Sequence, residues 1–149
     1  MSEIPYERDP DRYLADAART LCVDFDGVIH SFSSGWKGTT NIPDPPMPDA
    51  LDWLLKMQGK YIIVISSCRA RTPEGAQAIR GYMAKHIYAH TGDVEVTTYF
   101  MRDLVVTGKK PGALVYIDDK GFRFSGQFPT EGAIEALTRW NKEFLEGDK

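Results

Sequence analysis

Two short acidic runs in this chain carry residues that can do chemistry together. Asp24-Phe25-Asp26-Gly27 closes an apolar stretch at residues 20–25, and Asp118-Asp119 closes another at residues 114–117. Between them, Ser66-Ser67 follows the apolar run 61–65, Arg69 stands just beyond, and Lys110-Pro111 precedes the second acidic pair. Asp24 and Asp26 are one pleat apart, so both carboxylates can face one cavity. Gly27 lets the chain turn sharply there. Four carboxylates at one place repel unless a cation neutralises them. Magnesium suits such a set, because it takes a few carboxylates, water and phosphate oxygens. A phosphate drawn to that cation needs further donors, which Ser66, Ser67, Arg69 and Lys110 could supply. Alone, an Asp-x-Asp-Gly is often only a turn, and an Asp-Asp pair is often a loop or helix cap. The specificity lies in the joint order of the four segments.

These residues need a scaffold that gathers strand ends. Asp9-Pro10 predicts a first helix reaching about Arg19. Strands are expected at 20–25, 61–65, 94–100 and 114–117. Pro48 opens a helix with Ala50, Leu51, Leu54 and Leu55 on one face, closed by Gly59. Thr72-Pro73-Glu74 starts another with Ile79, Tyr82 and Met83 inward. Thr130 starts a last helix with Ala133, Leu137, Trp140 and Phe144 as its stripe. Alternating strands and helices predict one α/β domain over residues 1–149 with a mainly parallel sheet. Ligands of such sheets gather beyond the carboxyl ends of the strands, where Asp24, Asp26, Ser66, Ser67, Asp118 and Asp119 fall.

The chain has 149 residues, enough for one core, and a net charge of -3, which argues against a broad basic nucleic-acid surface. No apolar run reaches membrane-spanning length. The polar, acidic N-terminus does not resemble a secretory signal. Cys22 and Cys68 match no zinc or redox spacing. A cytoplasmic protein without membrane contact is expected. His30, His86 and His90 show no metal-ligand spacing and are expected to be structural or surface residues.

In the order of its motifs the chain resembles the haloacid dehalogenase (HAD) superfamily over about residues 20–126. The matching segments are Val23-Asp24-Phe25-Asp26-Gly27-Val28, Ile63-Val64-Ile65-Ser66-Ser67, Lys110-Pro111 and Val115-Tyr116-Ile117-Asp118-Asp119. The resemblance implies a three-layer Rossmann-like (HAD-like) fold and a magnesium-dependent phosphohydrolase. Asp24 would be the nucleophile that forms an aspartyl-phosphate. Asp26 would be the general acid and then the base. Asp24, the backbone carbonyl of Asp26, Asp118 and Asp119 would hold magnesium. Ser66 or Ser67, with Lys110 in preference to Lys109, would bind the phosphoryl oxygens. Ser67-Cys68-Arg69 looks like the Ser-x-Arg of polynucleotide kinase-phosphatase enzymes, which favours Ser67. The stretch from Asp119 to Phe124, Asp-Lys-Gly-Phe-Arg-Phe, looks like small bacterial and phage members.

Residues 28–60 and 71–109 leave no room for a large cap. The loop 30–41 alone would close the cleft, with Trp36 and Lys37 able to touch a substrate or, for Trp36, to pack the loop down. The expected substrate is a small-molecule phosphate ester or a nucleic-acid end, with a nucleotide or terminal phosphate favoured. The alternatives are a receiver-type phospho-accepting domain and a catalytically silent fold used for binding. Receivers carry their acidic pair on the first strand and the phospho-acceptor on a middle strand, the opposite of the order here.

Overall fold

Two apolar, β-branched runs form the centre of the sheet. A computed structural model describes residues 17–137. In it a 3-10 turn (Ala17–Arg19) leads into β1 (Thr20–Asp24). β2 (Ile62–Ser66), β3 (Val105–Thr107) and β4 (Val115–Ile117) follow. All pairings are parallel and the order is β3-β2-β1-β4. Ile63, Val64 and Ile65 are fully buried on both faces of β2, as a covered parallel strand requires. This is the expected α/β architecture, with a small Rossmann-like sheet that is wholly parallel among the described residues.

The helices are α1 (Ala50–Gln58), α2 (Pro73–Thr91) and α3 (Val94–Asp103), and residues 131–137 are helical as well. Leu21, Val23 and Phe25 alternate to one face with Ile63, Ile65 and Val106. They pack in one cluster with Leu51 and Leu54 of α1, Ile79, Tyr82 and Met83 of α2, and Phe100 of α3. Thr72 caps α2 by accepting from the Gly75 N–H, and Pro73 fills the first helical position. Gly75 must be glycine, since a Cβ there would overlap the Arg69 carbonyl oxygen. That contact seats α2 directly on the turn following β2.

Residues 94–100, expected as a strand, are helical. The β-branched Val94, Val96, Thr97 and Thr98 favour a strand by propensity. However, Asp93 accepts from the Val96 N–H as an N-cap, and Thr97 and Thr98 return their hydroxyls to carbonyls four residues back. Only Phe100 of this helix is buried. The third strand lies later, at Val105–Thr107, directly after the buried Leu104. Of the expected first helix at 9–19 only residues 17–19 are described, as a 3-10 turn, and Trp140 and Phe144 lie outside the described residues. No helix among the described residues is long and apolar enough to cross a membrane.

Candidate active site at the sheet switch point

The register sets the site. Asp24 pairs with Ser66, which in turn pairs with Thr107, so the three form one row at the carboxyl edge. Val23 pairs with Ile117, which puts Asp118 next in line beside Asp24. The chain runs outward from β1 through β2 to β3, then returns to place β4 on the far side of β1. The crevice between β1 and β4 is therefore the topological switch point, where such sheets bind ligands.

Asp24, Asp118 and Asp119 converge there, with one oxygen from each within 4.8 Å of the others. Gly27, at φ 86°, supplies the left-handed turn and the room, because a Cβ on it would overlap the Asp119 carboxylate. Burial pushes the Asp24 carboxyl up to about 7. The neighbouring Asp118 and Asp119 contribute to that rise, against the opposing hydrogen bond from the Phe25 N–H at 2.8 Å. Burial likewise raises Asp119. Its Oδ1 is buried, and no donor among the described residues reaches it. A crowded acidic triad with an orphaned carboxylate oxygen fits a hard divalent cation with oxygen ligands. The Asp26 carboxylate is not part of this triad.

A cavity of about 390 Å³ opens beside the triad. Asp24, Ser66, Ser67, Arg71, Lys110 and Asp118 contribute its polar lining. Ser66 Oγ donates to the Lys109 carbonyl at 2.9 Å. Ser67 Oγ accepts from the Arg69 N–H at 3.2 Å, capping the 3-10 turn Cys68–Arg71. Both serines therefore stand at the cavity, and Ser67 also shapes the turn. Lys110 Nζ lies 4.7 Å from the centre of the Tyr116 ring. Cys22 also lines the cavity, and burial pushes its thiol up to about 11, which keeps it unreactive. Neither cysteine is in a disulfide, and Cys68 is exposed.

Arg69 corrects the sequence expectation. It is fully buried, and its Nε and Nη2 form a fork on Asp26 at 2.9 and 3.1 Å. Nη1 reaches the carbonyls of Gly38, Thr39 and Asn41 at 2.7, 3.0 and 3.3 Å. The ring of Trp36 covers the guanidinium at 4.4 Å. This arginine holds the loop 30–41 to the body and is not presented to a phosphate. Trp36 packs that loop down while staying half exposed, and Lys37 is exposed. Arg71, assigned no role from the sequence, stands at the cavity together with Lys110. In a 3-10 turn, residues two apart leave on different sides, so when Arg69 points inward Arg71 points to the cleft.

Asp26 makes its contacts with Arg69 and His30. Burial would raise its carboxyl, but hydrogen bonds from His30 and Arg69, with the charge of Arg69, hold it below the usual carboxylate range. His30 is the other residue the sequence did not single out. It is fully buried, as expected of a structural histidine, yet it touches a candidate catalytic carboxylate at 2.8 Å. The only cue was its place at the end of the tight turn that follows Asp26-Gly27.

Family models, curated proteins and solved structures were all compared with this chain, and none gave a significant match.

Proposed function

We propose that this protein is a magnesium-dependent phosphomonoester hydrolase working through an aspartyl-phosphate on Asp24, as the resemblance to the haloacid dehalogenase superfamily implies. The observation that carries this reading is the Asp24–Asp118–Asp119 triad, with its orphaned Asp119 oxygen, opening at the switch point onto a cavity lined by Ser66, Ser67, Arg71 and Lys110.

The chemistry follows from these groups. Ser66, Ser67, Arg71 and Lys110 bind the phosphoryl oxygens and offset the charge that develops in transfer. Asp24, at the end of a rigid central strand, directs a carboxylate oxygen at phosphorus. As that bond forms, the bond to the ester oxygen breaks, and Asp26 gives the leaving oxygen its proton. His30 and Arg69 keep Asp26 ionised in the free protein, so the proton enters with the substrate as a phosphomonoester monoanion. Asp26 Oδ1 already accepts two donors and Oδ2 one, so Oδ2 takes it up and passes it on. Asp26, now a carboxylate held by Arg69 and His30, then takes a proton from the water that hydrolyses the acyl-phosphate. A divalent cation held by Asp24, Asp118 and Asp119 would neutralise the carboxylates and polarise the phosphoryl group.

The substrate class we infer is a nucleotide or a nucleic-acid terminal phosphate. The support is the cleft without a cap domain over it and the two cationic side chains in its lining, Arg71 and Lys110. Residues 28–60 form the loop and α1, and residues 71–109 form α2, α3 and β3, so neither segment adds a cap domain.

The test is repeated turnover of a generic phosphomonoester with magnesium. Multiple turnovers per protein are expected, falling to background in chelator. A receiver-type domain would stop after one phosphorylation, and a silent fold would give none. Asp118→Asn is expected to weaken magnesium binding about tenfold or more, since even outer partners of a metal are worth that much. A magnesium titration of the thermal midpoint measures this without relying on activity. Full turnover by metal-stripped protein in chelator would end the proposal.

A further inference from the structure

His30 is a fully buried histidine with both ring nitrogens engaged. The Asp44 N–H donates to Nε2 at 3.1 Å. The ring proton is therefore on Nδ1, which donates to Asp26 Oδ1 at 2.8 Å. The ring is held by Phe25, stacked at 5.6 Å between centroids, and by Phe32 and Tyr82, edge-on at 5.8 and 5.5 Å. These rings and the two hydrogen bonds hold its orientation. Asp44 is itself fixed, because its carboxylate accepts from the Ser34 N–H and hydroxyl. A continuous relay thus runs from the loop through Asp44 and His30 to Asp26. Arg69 binds the same carboxylate but also ties down three loop carbonyls. Beyond its core packing, the polar chemistry of His30 goes to fixing the tautomer and to Asp26.

We propose that His30 is a positioning residue for Asp26: it fixes the rotation of that carboxyl so that Oδ2 delivers its proton to the leaving oxygen. His30 keeps its own proton throughout. The inference rests on the phosphatase reading and adds to it a residue outside the triad and the cavity lining. Misplacing a general acid costs most when the leaving group needs the proton.

The experiment compares kcat/KM for n-propyl phosphate and 4-nitrophenyl phosphate. Propoxide needs protonation to leave, whereas nitrophenolate departs as a stable anion. The specificity constant covers only the steps up to the aspartyl-phosphate, so the later role of Asp26 as base does not enter. His30→Phe keeps an aromatic ring in the slot and removes the donor. It is expected to lower the alkyl-to-aryl ratio of specificity constants by about tenfold or more. His30→Asn places an amide N–H where Nδ1 stands and should bring the ratio back to within about threefold of wild type. Because the ratio is taken on one preparation, a partly unfolded sample leaves it unchanged. Equal losses on both esters in His30→Phe would assign the residue a purely structural role and overturn the inference. Wild-type protein inactive on both esters would overturn the phosphatase reading and this inference with it.

Discussion

Asp24→Asn is expected to fold normally and to lose at least about 10³-fold in turnover, because an amide oxygen is too weak a nucleophile to form the acyl-phosphate. The substitution is isosteric at a strand end whose backbone is fixed by pairing to both β2 and β4. It also removes one of three crowded negative charges. Burial and the neighbours Asp118 and Asp119 hold the Asp24 carboxyl near 7, so without divalent ions the variant should melt no lower than wild type. A dead protein with an undiminished melting temperature separates loss of chemistry from loss of fold. Acid-quenched wild type incubated with substrate should carry one added phosphoryl mass on the peptide containing Asp24, and the variant none. Turnover by the variant within tenfold of wild type would rule Asp24 out as the nucleophile.

Arg69→Met is expected to destabilise the protein by about 3–5 kcal/mol, the usual cost of removing one partner of a buried ion pair. The methionine keeps much of the apolar stem packing. It leaves the largely buried Asp26 without its fork of donors, and the carbonyls of Gly38, Thr39 and Asn41 without theirs. Single domains are stable by only about 5–15 kcal/mol, so the change should be large in urea unfolding. Adding Asp26→Asn to the methionine variant removes the stranded charge and should recover part of the loss, whereas independent sites would simply add. A loss below about 1 kcal/mol would mean that the arginine is dispensable to the fold and would return it to consideration as a substrate ligand.

The sequence was most legible where one physical cause dominated. β1 and β2 are read directly from apolar, β-branched runs that end in polar residues, and α2 from Thr72-Pro73 and its inward Ile79, Tyr82 and Met83. Those elements alone put Asp24 and Ser66 at one sheet edge. Legibility failed where local propensity and capping disagreed. Val94, Val96, Thr97 and Thr98 look like a strand, but Asp93 caps a helix that lies mostly in solvent, where burial does not oppose it. β3 escaped notice because three residues carry too little periodicity. At the site, the types of residue were legible and their directions were not. Arg69 and Arg71 are two positions apart in a turn whose handedness no pattern of residue types displays. His30 gains its significance from being held between Asp26 and Asp44, the latter far along a loop of irregular backbone.

The strand that supplies two of the three clustered carboxylates is also the least secured. β4 pairs with β1 alone among the described strands, through three residue pairs. Leu114, Val115 and Tyr116 remain about half exposed. Its amides should therefore exchange with solvent deuterium through a local opening well before those of β2, which is sealed on both faces. A cation shared by Asp24 and the Asp118-Asp119 pair would tie this edge to the centre of the sheet. Ion occupancy and the order of the edge strand are then linked. Slowed amide exchange at residues 115–117, with β2 unchanged, would report a filled site even without substrate.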